Sequence, residues 1–82
     1  MTEIREIQIR EEPIELHKVL KLQNLVASGG EAKLVISGGY VTVNGETETR
    51  KSKKIYSQDI VEFNQEKVRV VLGDNTKAES DG

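Results

Sequence analysis

The chain has 82 residues, with 12 Lys or Arg against 14 Asp or Glu and a formal net charge of −2. That length suits one small domain, near the lower limit for a core that holds together unaided. There is no cysteine and no apolar run near the ~20 residues that span a bilayer, which excludes disulfide scaffolds, thiolate metal sites and a spanning helix.

The opening "MTEIREIQIREEP" is charged throughout and lacks the apolar stretch of a signal peptide, so a cytoplasmic protein is expected. Within it, Ile7 and Ile9 alternate with polar residues and predict a strand over 3–9. Pro13 suits the first turn of a helix, where its missing N–H is no loss. Leu16, Val19 and Leu20 then repeat at helical spacing, with Lys18 and Lys21 on a more polar side and Asn24 as the stop. A second helix starts at Ser28. Ser28 and Glu31 have the spacing of a capping box, in which the hydroxyl accepts from the Glu31 amide and the carboxylate reaches back. Ala32, Val35 and Ile36 form its buried stripe, Lys33 points away from them, and Gly38-Gly39 ends it.

Two glycines in the first turn of that helix need a reason, because Gly costs a helix interior about 0.8–1.0 kcal/mol relative to Ala. Gly29 and Gly30 either let the two helices meet at a tight corner or let a ligand approach the backbone. A helix N-terminus with bare amides is a ready phosphate site, and Lys33 lies one turn further on.

"YVTVNGETETR" is the strongest local signal. Val41 and Val43 alternate into Asn44-Gly45, a pair that favours the positive φ angles of a two-residue hairpin turn. The polar return strand, 46–49, reads as an edge. "IYSQDIVEF" gives a turn at 57–59 and a strand at 60–63, and "KVRVVL" gives a last strand with Val68, Val70 and Leu72 in alternation. The expected fold is α+β: two short packed helices followed by a β-hairpin and a small mixed or antiparallel sheet. One domain over 1–72 and a disordered polar tail over 73–82 complete the organisation.

The charge is unevenly spread. Residues 1–32 sum to −2, residues 33–56 to +3 and residues 57–82 to −3. The middle third holds Lys33 and the run "RKSKK", and four cations within five residues repel one another unless something neutralises them. Arg50, Lys51, Lys53 and Lys54 are therefore the main candidates for polyanion contact, with Lys33, Lys18 and Lys21 after them. Tyr40 reads first as a packing residue and second as a base-stacking platform. His17 lacks an evident partner, and no triad, phosphate-binding loop or metal cluster is present, so an enzyme, a cofactor and a small-molecule substrate are not expected.

From Leu16 to Phe63 the chain resembles the alpha-L RNA-binding domain, the S-four-like domain named after small-subunit ribosomal protein S-four. That domain also occurs in pseudouridine synthases and tyrosyl-tRNA synthetases. The resemblance is carried by "IELHKVLKL", "SGGEAKLVISGG", "YVTVNGE" and "QDIVEF", the last where the family usually has a Gly-Asp turn. "TRK" and the lysines before Ile55 are similar to the short stand-alone bacterial members. The resemblance implies a non-catalytic module for structured RNA, of the ribosomal or transfer class. Larger members usually carry arginine just after the serine of the second helix, and often another at the start of the first. Gly29 and, approximately, Ile14 stand there, so those contacts do not carry over, and Lys33 with "RKSKK" must supply the charge.

Two other classes compete. "VNGE" and "DIVEF" also recur in β-grasp sulfur carriers, but those end in Gly-Gly, begin with a hairpin and carry one main helix. The acidic flanks would suit a ribosome-associated protein adaptor. A monomer is expected, since no long apolar surface stripe is evident.

Overall fold

The computed structural model describes residues 4–73. Strand β1 (Ile4–Ile9) is followed by a two-residue strand β2 (Ile14–Glu15), helix α1 (Leu16–Leu22) and helix α2 (Gly29–Ser37). Then come β3 (Val41–Val43), β4 (Glu46–Thr47), β5 (Lys54–Ile55), β6 (Ile60–Phe63) and β7 (Glu66–Leu72). Five strands form one sheet in the order β1-β7-β6-β3-β4, and β2 pairs with β5 in a separate two-stranded ladder. The larger sheet is mixed: β1 runs parallel to β7, while the other pairs are antiparallel. The expected α+β arrangement of two packed helices, hairpin and small sheet is what the chain adopts.

The apolar periodicities explain why the layers meet. Leu16, Val19 and Leu20 of α1 are fully buried, as are Ala32 and Ile36 of α2, with Val35 packed at the edge of the core. Opposite them, alternate residues of the sheet turn inward: Val41, Val61, Val68 and Val70 are fully buried and Ile7 and Ile9 nearly so. In the parallel pair, Ile7 lies opposite Val70, so both strands place their branched side chains in one layer. Among the described residues no helix is long and apolar enough to cross a membrane.

Several local readings hold. Ser28 caps α2, its hydroxyl accepting from the Glu31 amide at 3.1 Å. The Glu31 carboxylate reaches back one residue beyond the cap and accepts from the Ala27 amide at 2.8 Å. Asn44 and Gly45 both have positive φ, 53° and 87°, and Val43 pairs with Glu46 across them, which makes the two-residue hairpin. Asn44 also ties that hairpin to β6: its amide donates to Asp59 Oδ1 at 3.0 Å and its oxygen accepts from the Ile60 amide at 2.9 Å.

Other readings are corrected. Pro13 does not open the first helix: Ile14 and Glu15 are extended and pair with Ile55 and Lys54, and α1 begins only at Leu16. The competing pairing wins because Ile55, fully buried, brings its strand against the helix start. The hairpin's return strand ends at Thr47, two residues earlier than expected. A second tight turn, Asn64-Gln65, joins β6 to β7 with φ of 54° and 69°, although it contains no glycine. Gln58 stands where the resembled family has glycine and takes a φ of 80°, held by its amide on the Val70 carbonyl at 2.6 Å. Apart from Gly73, the expected tail lies outside the described residues.

Candidate nucleic-acid interface

The run "RKSKK" is a folded segment. Beyond β4 the Glu48 amide donates to the Val41 carbonyl at 2.9 Å, extending the hairpin by one rung. The Glu48 carboxylate then accepts from the Arg50 amide at 2.9 Å and from Arg50 Nε at 3.0 Å, which turns the chain back on itself. Lys53 N donates to the Arg50 carbonyl at 3.2 Å, closing the turn. From there Lys54 and Ile55 enter the ladder with β2.

The same segment caps α1. That helix has no side-chain cap. Its first two amides, Leu16 and His17, donate instead to the carbonyls of Lys53 at 2.9 Å and Lys51 at 3.2 Å. Orphan amides at a helix start need partners, and here main-chain oxygens of the basic run supply them. The lysine side chains are left free while their backbone is pinned.

The sequence-predicted cations fall into three groups. Lys33, Arg50, Lys51, Lys53 and Lys54 line one open depression, together with Ser37, Thr49, Ser52 and Tyr56. Lys33 and Ser37 lie four residues apart on one face of α2 and form one wall; the basic segment forms the other. Lys18 lines a neighbouring depression, with Arg10, Glu11 and Glu15, and Lys54 borders both. Lys21 lies beside the start of α2, where a Cβ on Gly29 would sit 4.0 Å from its side chain. Lys33 and the basic run, far apart in sequence, therefore share one depression, Lys18 adjoins it through Lys54, and Lys21 lies apart beside the start of α2.

Their pairing differs. Arg50 is held by Glu48, and that bond, with the Arg50 backbone amide next in effect, keeps the Glu48 carboxyl down at about 2. Among the described residues no carboxylate lies within salt-bridge distance of Lys18, Lys21, Lys33, Lys51, Lys53 or Lys54. His17 has a partner that the sequence did not reveal: it bonds Glu15 Oε1 at 2.8 Å, which lowers the Glu15 carboxyl, with Lys18 and Lys54 adding attraction.

Gly29 and Gly30 are not needed for helix packing. A Cβ on Gly29 would make only ordinary contact with the Lys21 side chain, and one on Gly30 only with the Ser28 hydroxyl at 3.8 Å. Neither glycine has positive φ. Tyr56 was not among the candidates, yet alternation about buried Ile55 puts it on the same outer side as Lys54, a signal that was legible in "KKIYS".

Comparison with known proteins agrees with this architecture. The family model described as the S4 domain matches residues 7–71. The chain is 43% identical over 57 residues to a Bacillus subtilis protein named "Probable ribosome maturation protein RlbA", covering 70% of this chain and 80% of that one. It is equally 43% identical over 58 residues to the "Putative RNA-binding protein YbcJ" of Escherichia coli, covering 71% and 83%. The solution structure of YbcJ, described as revealing an αL motif involved in RNA binding, superposes with a TM-score of 0.66 at 38% identity over 87% of this chain and 91% of YbcJ. The 30S ribosomal protein S4e of Thermoplasma acidophilum gives a TM-score of 0.61 at 27% identity, covering 80% of this chain and 35% of that protein. With most of its length matched by the family model and by relatives of similar size, this chain belongs to the S4 domain family.

Proposed function

We propose that this protein is a non-catalytic RNA-binding module that grips structured RNA through its phosphates, acting in the cytoplasm as a monomer. The observation that carries the reading is the depression between α2 and the basic segment, where Lys33, Lys51, Lys53 and Lys54 gather with no carboxylate of the described residues in salt-bridge range. Like charges held together on a pinned backbone repel until a polyanion neutralises them. Lys18 and Lys21 extend the basic surface toward α1. Membership of the S4 domain family supports an RNA partner, and the ribosome-maturation name of a relative favours ribosomal over transfer RNA. Gly29 and Gly30 fit a sugar–phosphate chain approaching the start of α2, since nothing inside the fold requires their bare backbone.

Binding by counterion release gives a slope of log affinity against log salt of about −0.7 to −0.9 per phosphate neutralised. Four free lysines predict a slope of roughly −3 to −3.5, so affinity falls about a hundredfold between 50 and 200 mM salt. Anisotropy of a labelled stem-loop RNA across that range checks it. A flat salt dependence would exclude a phosphate-gripping role.

Arg50 supplies a second, finer test. While Glu48 is ionised, Arg50 is occupied, so Glu48→Gln should release it and steepen the salt slope by about 0.7–0.9. Acid does not mimic the substitution at ordinary pH. A carboxyl lowered from 4.5 to about 2 contributes stability that is fully present above its unfolded value and is lost only as pH falls toward about 2. RNA affinity should therefore show no rise on Glu48's account between pH 8 and about 5. A slope unchanged in Glu48→Gln would mean that Arg50 does not face the RNA.

A further inference from the structure

Tyr56 is the one aromatic on the wall of the basic depression, and the residue is 49% exposed. Its backbone is fixed on both sides. The residue before it, Ile55, is fully buried and paired with Ile14. The Tyr56 amide donates to Asp59 Oδ2 at 2.8 Å, the Asp59 amide donates to the Tyr56 carbonyl at 3.0 Å, and the Ser57 amide donates to Glu12 Oε1 at 2.7 Å. A half-exposed tyrosine on so constrained a backbone has a fixed point of attachment for its aromatic face, beside Lys53 and Lys54 on the wall of the depression.

The charge around Tyr56 is polarised. On one side is the lysine-rich depression; on the other is a second, lined by Glu46, Glu48 and Asp59. Lys53, Lys54 and Tyr56 form the ridge between the two. A phosphate is drawn more strongly to the first side than to the second, where Glu46, Glu48 and Asp59 offset Lys53 and Lys54, whereas a base carries no net charge and has a π-face for the ring. We propose that Tyr56 stacks an unpaired base of the bound RNA, with that nucleotide's phosphate toward Lys33 and Lys51. The inference rests on the RNA-binding reading and narrows it: the preferred ligand has a nucleotide free of its helix, in a loop or bulge, because a continuous A-form duplex hides its base faces. Tyr40, at 69% exposure, lines neither depression, and its ring lies over Gly38. It serves as the control.

The test uses the full chain with two RNAs: a short stem-loop carrying 2-aminopurine at one loop position, and the same stem as a blunt duplex. Wild type, Tyr56→Phe and Tyr40→Leu should bind the stem-loop more tightly than the duplex and quench the 2-aminopurine. Tyr56→Leu should bind the stem-loop about ten- to a hundredfold more weakly, from the usual worth of one stacked base, lose the quenching, and bind the duplex as wild type does. Equal stem-loop affinity and quenching in Tyr56→Leu would overturn the stacking role while leaving phosphate binding intact. A wild type that binds neither RNA in a salt-dependent way would overturn both readings.

Discussion

Charge reversal of Lys51, Lys53 and Lys54 together, each to glutamate, is expected to abolish measurable RNA binding while leaving the fold intact. Three of the four free cations of the depression are lost, and three negative charges take their place. Hydrogen bonds to charged groups contribute about 1.5–3 kcal/mol each; discounting heavily for solvent at these sites still leaves about 1 kcal/mol per contact. The losses alone then exceed a hundredfold, and repulsion of phosphate adds to them. The fold should survive because this segment supports α1 through main-chain carbonyls of Lys51 and Lys53, which the substitutions do not touch. Unfolding free energy should change by no more than surface substitutions usually cause, within about 0.5 kcal/mol for each of the three. Arginine at the same three positions keeps the charge and should keep the binding. If the glutamate variant retained wild-type affinity and salt slope, the RNA would lie on another face.

What the sequence revealed and what it hid follow from the range of the interactions. The helix stripes of Leu16-Val19-Leu20 and Ala32-Val35-Ile36, the Ser28 cap and the Asn44-Gly45 turn are set by residues within a turn or two of each other, so pattern alone shows them. The parallel pairing of β1 with β7 joins residues about sixty positions apart, and nothing in "EIREIQI" names its partner. Pro13 was misread for the same reason: the strand that draws Ile14 out of the helix lies forty residues downstream. The turn at 57–59 was legible, but the left-handed Gln58 within it and the whole Asn64-Gln65 turn were hidden, because they use positive φ without glycine, a conformation imposed by flanking strands rather than by local preference. The site was half legible. The basic run and Lys33 were visible as charges despite a net of −2. Their convergence, the capture of Arg50 by Glu48 and the place of Tyr56 between two depressions depend on the tertiary fold.

The second large effect concerns the residue that joins core to site. Ile55 is fully buried, pairs with Ile14, and directly follows the last lysine of the basic run. Truncating a buried isoleucine to alanine removes its transfer free energy and leaves a cavity, at a cost of about 2–5 kcal/mol. A chain of this length has only about 4–12 kcal/mol in total, so Ile55→Ala should lower the urea midpoint steeply with an unchanged m-value. It should lower the thermal midpoint by roughly 10 °C or more. Ile55→Val, which keeps the branched body, should cost about 0.5–1.5 kcal/mol. The consequence for function is specific to this architecture. If Ile55 anchors the lysines, Ile55→Ala should bind RNA more weakly even at temperatures where it remains folded, whereas an equally destabilising truncation far from the basic run, such as Val68→Ala in β7, should bind normally once folded. Equal RNA affinity for the two folded variants would mean that the basic segment holds its shape through its own hydrogen bonds, with the core contributing stability but not the geometry of the site.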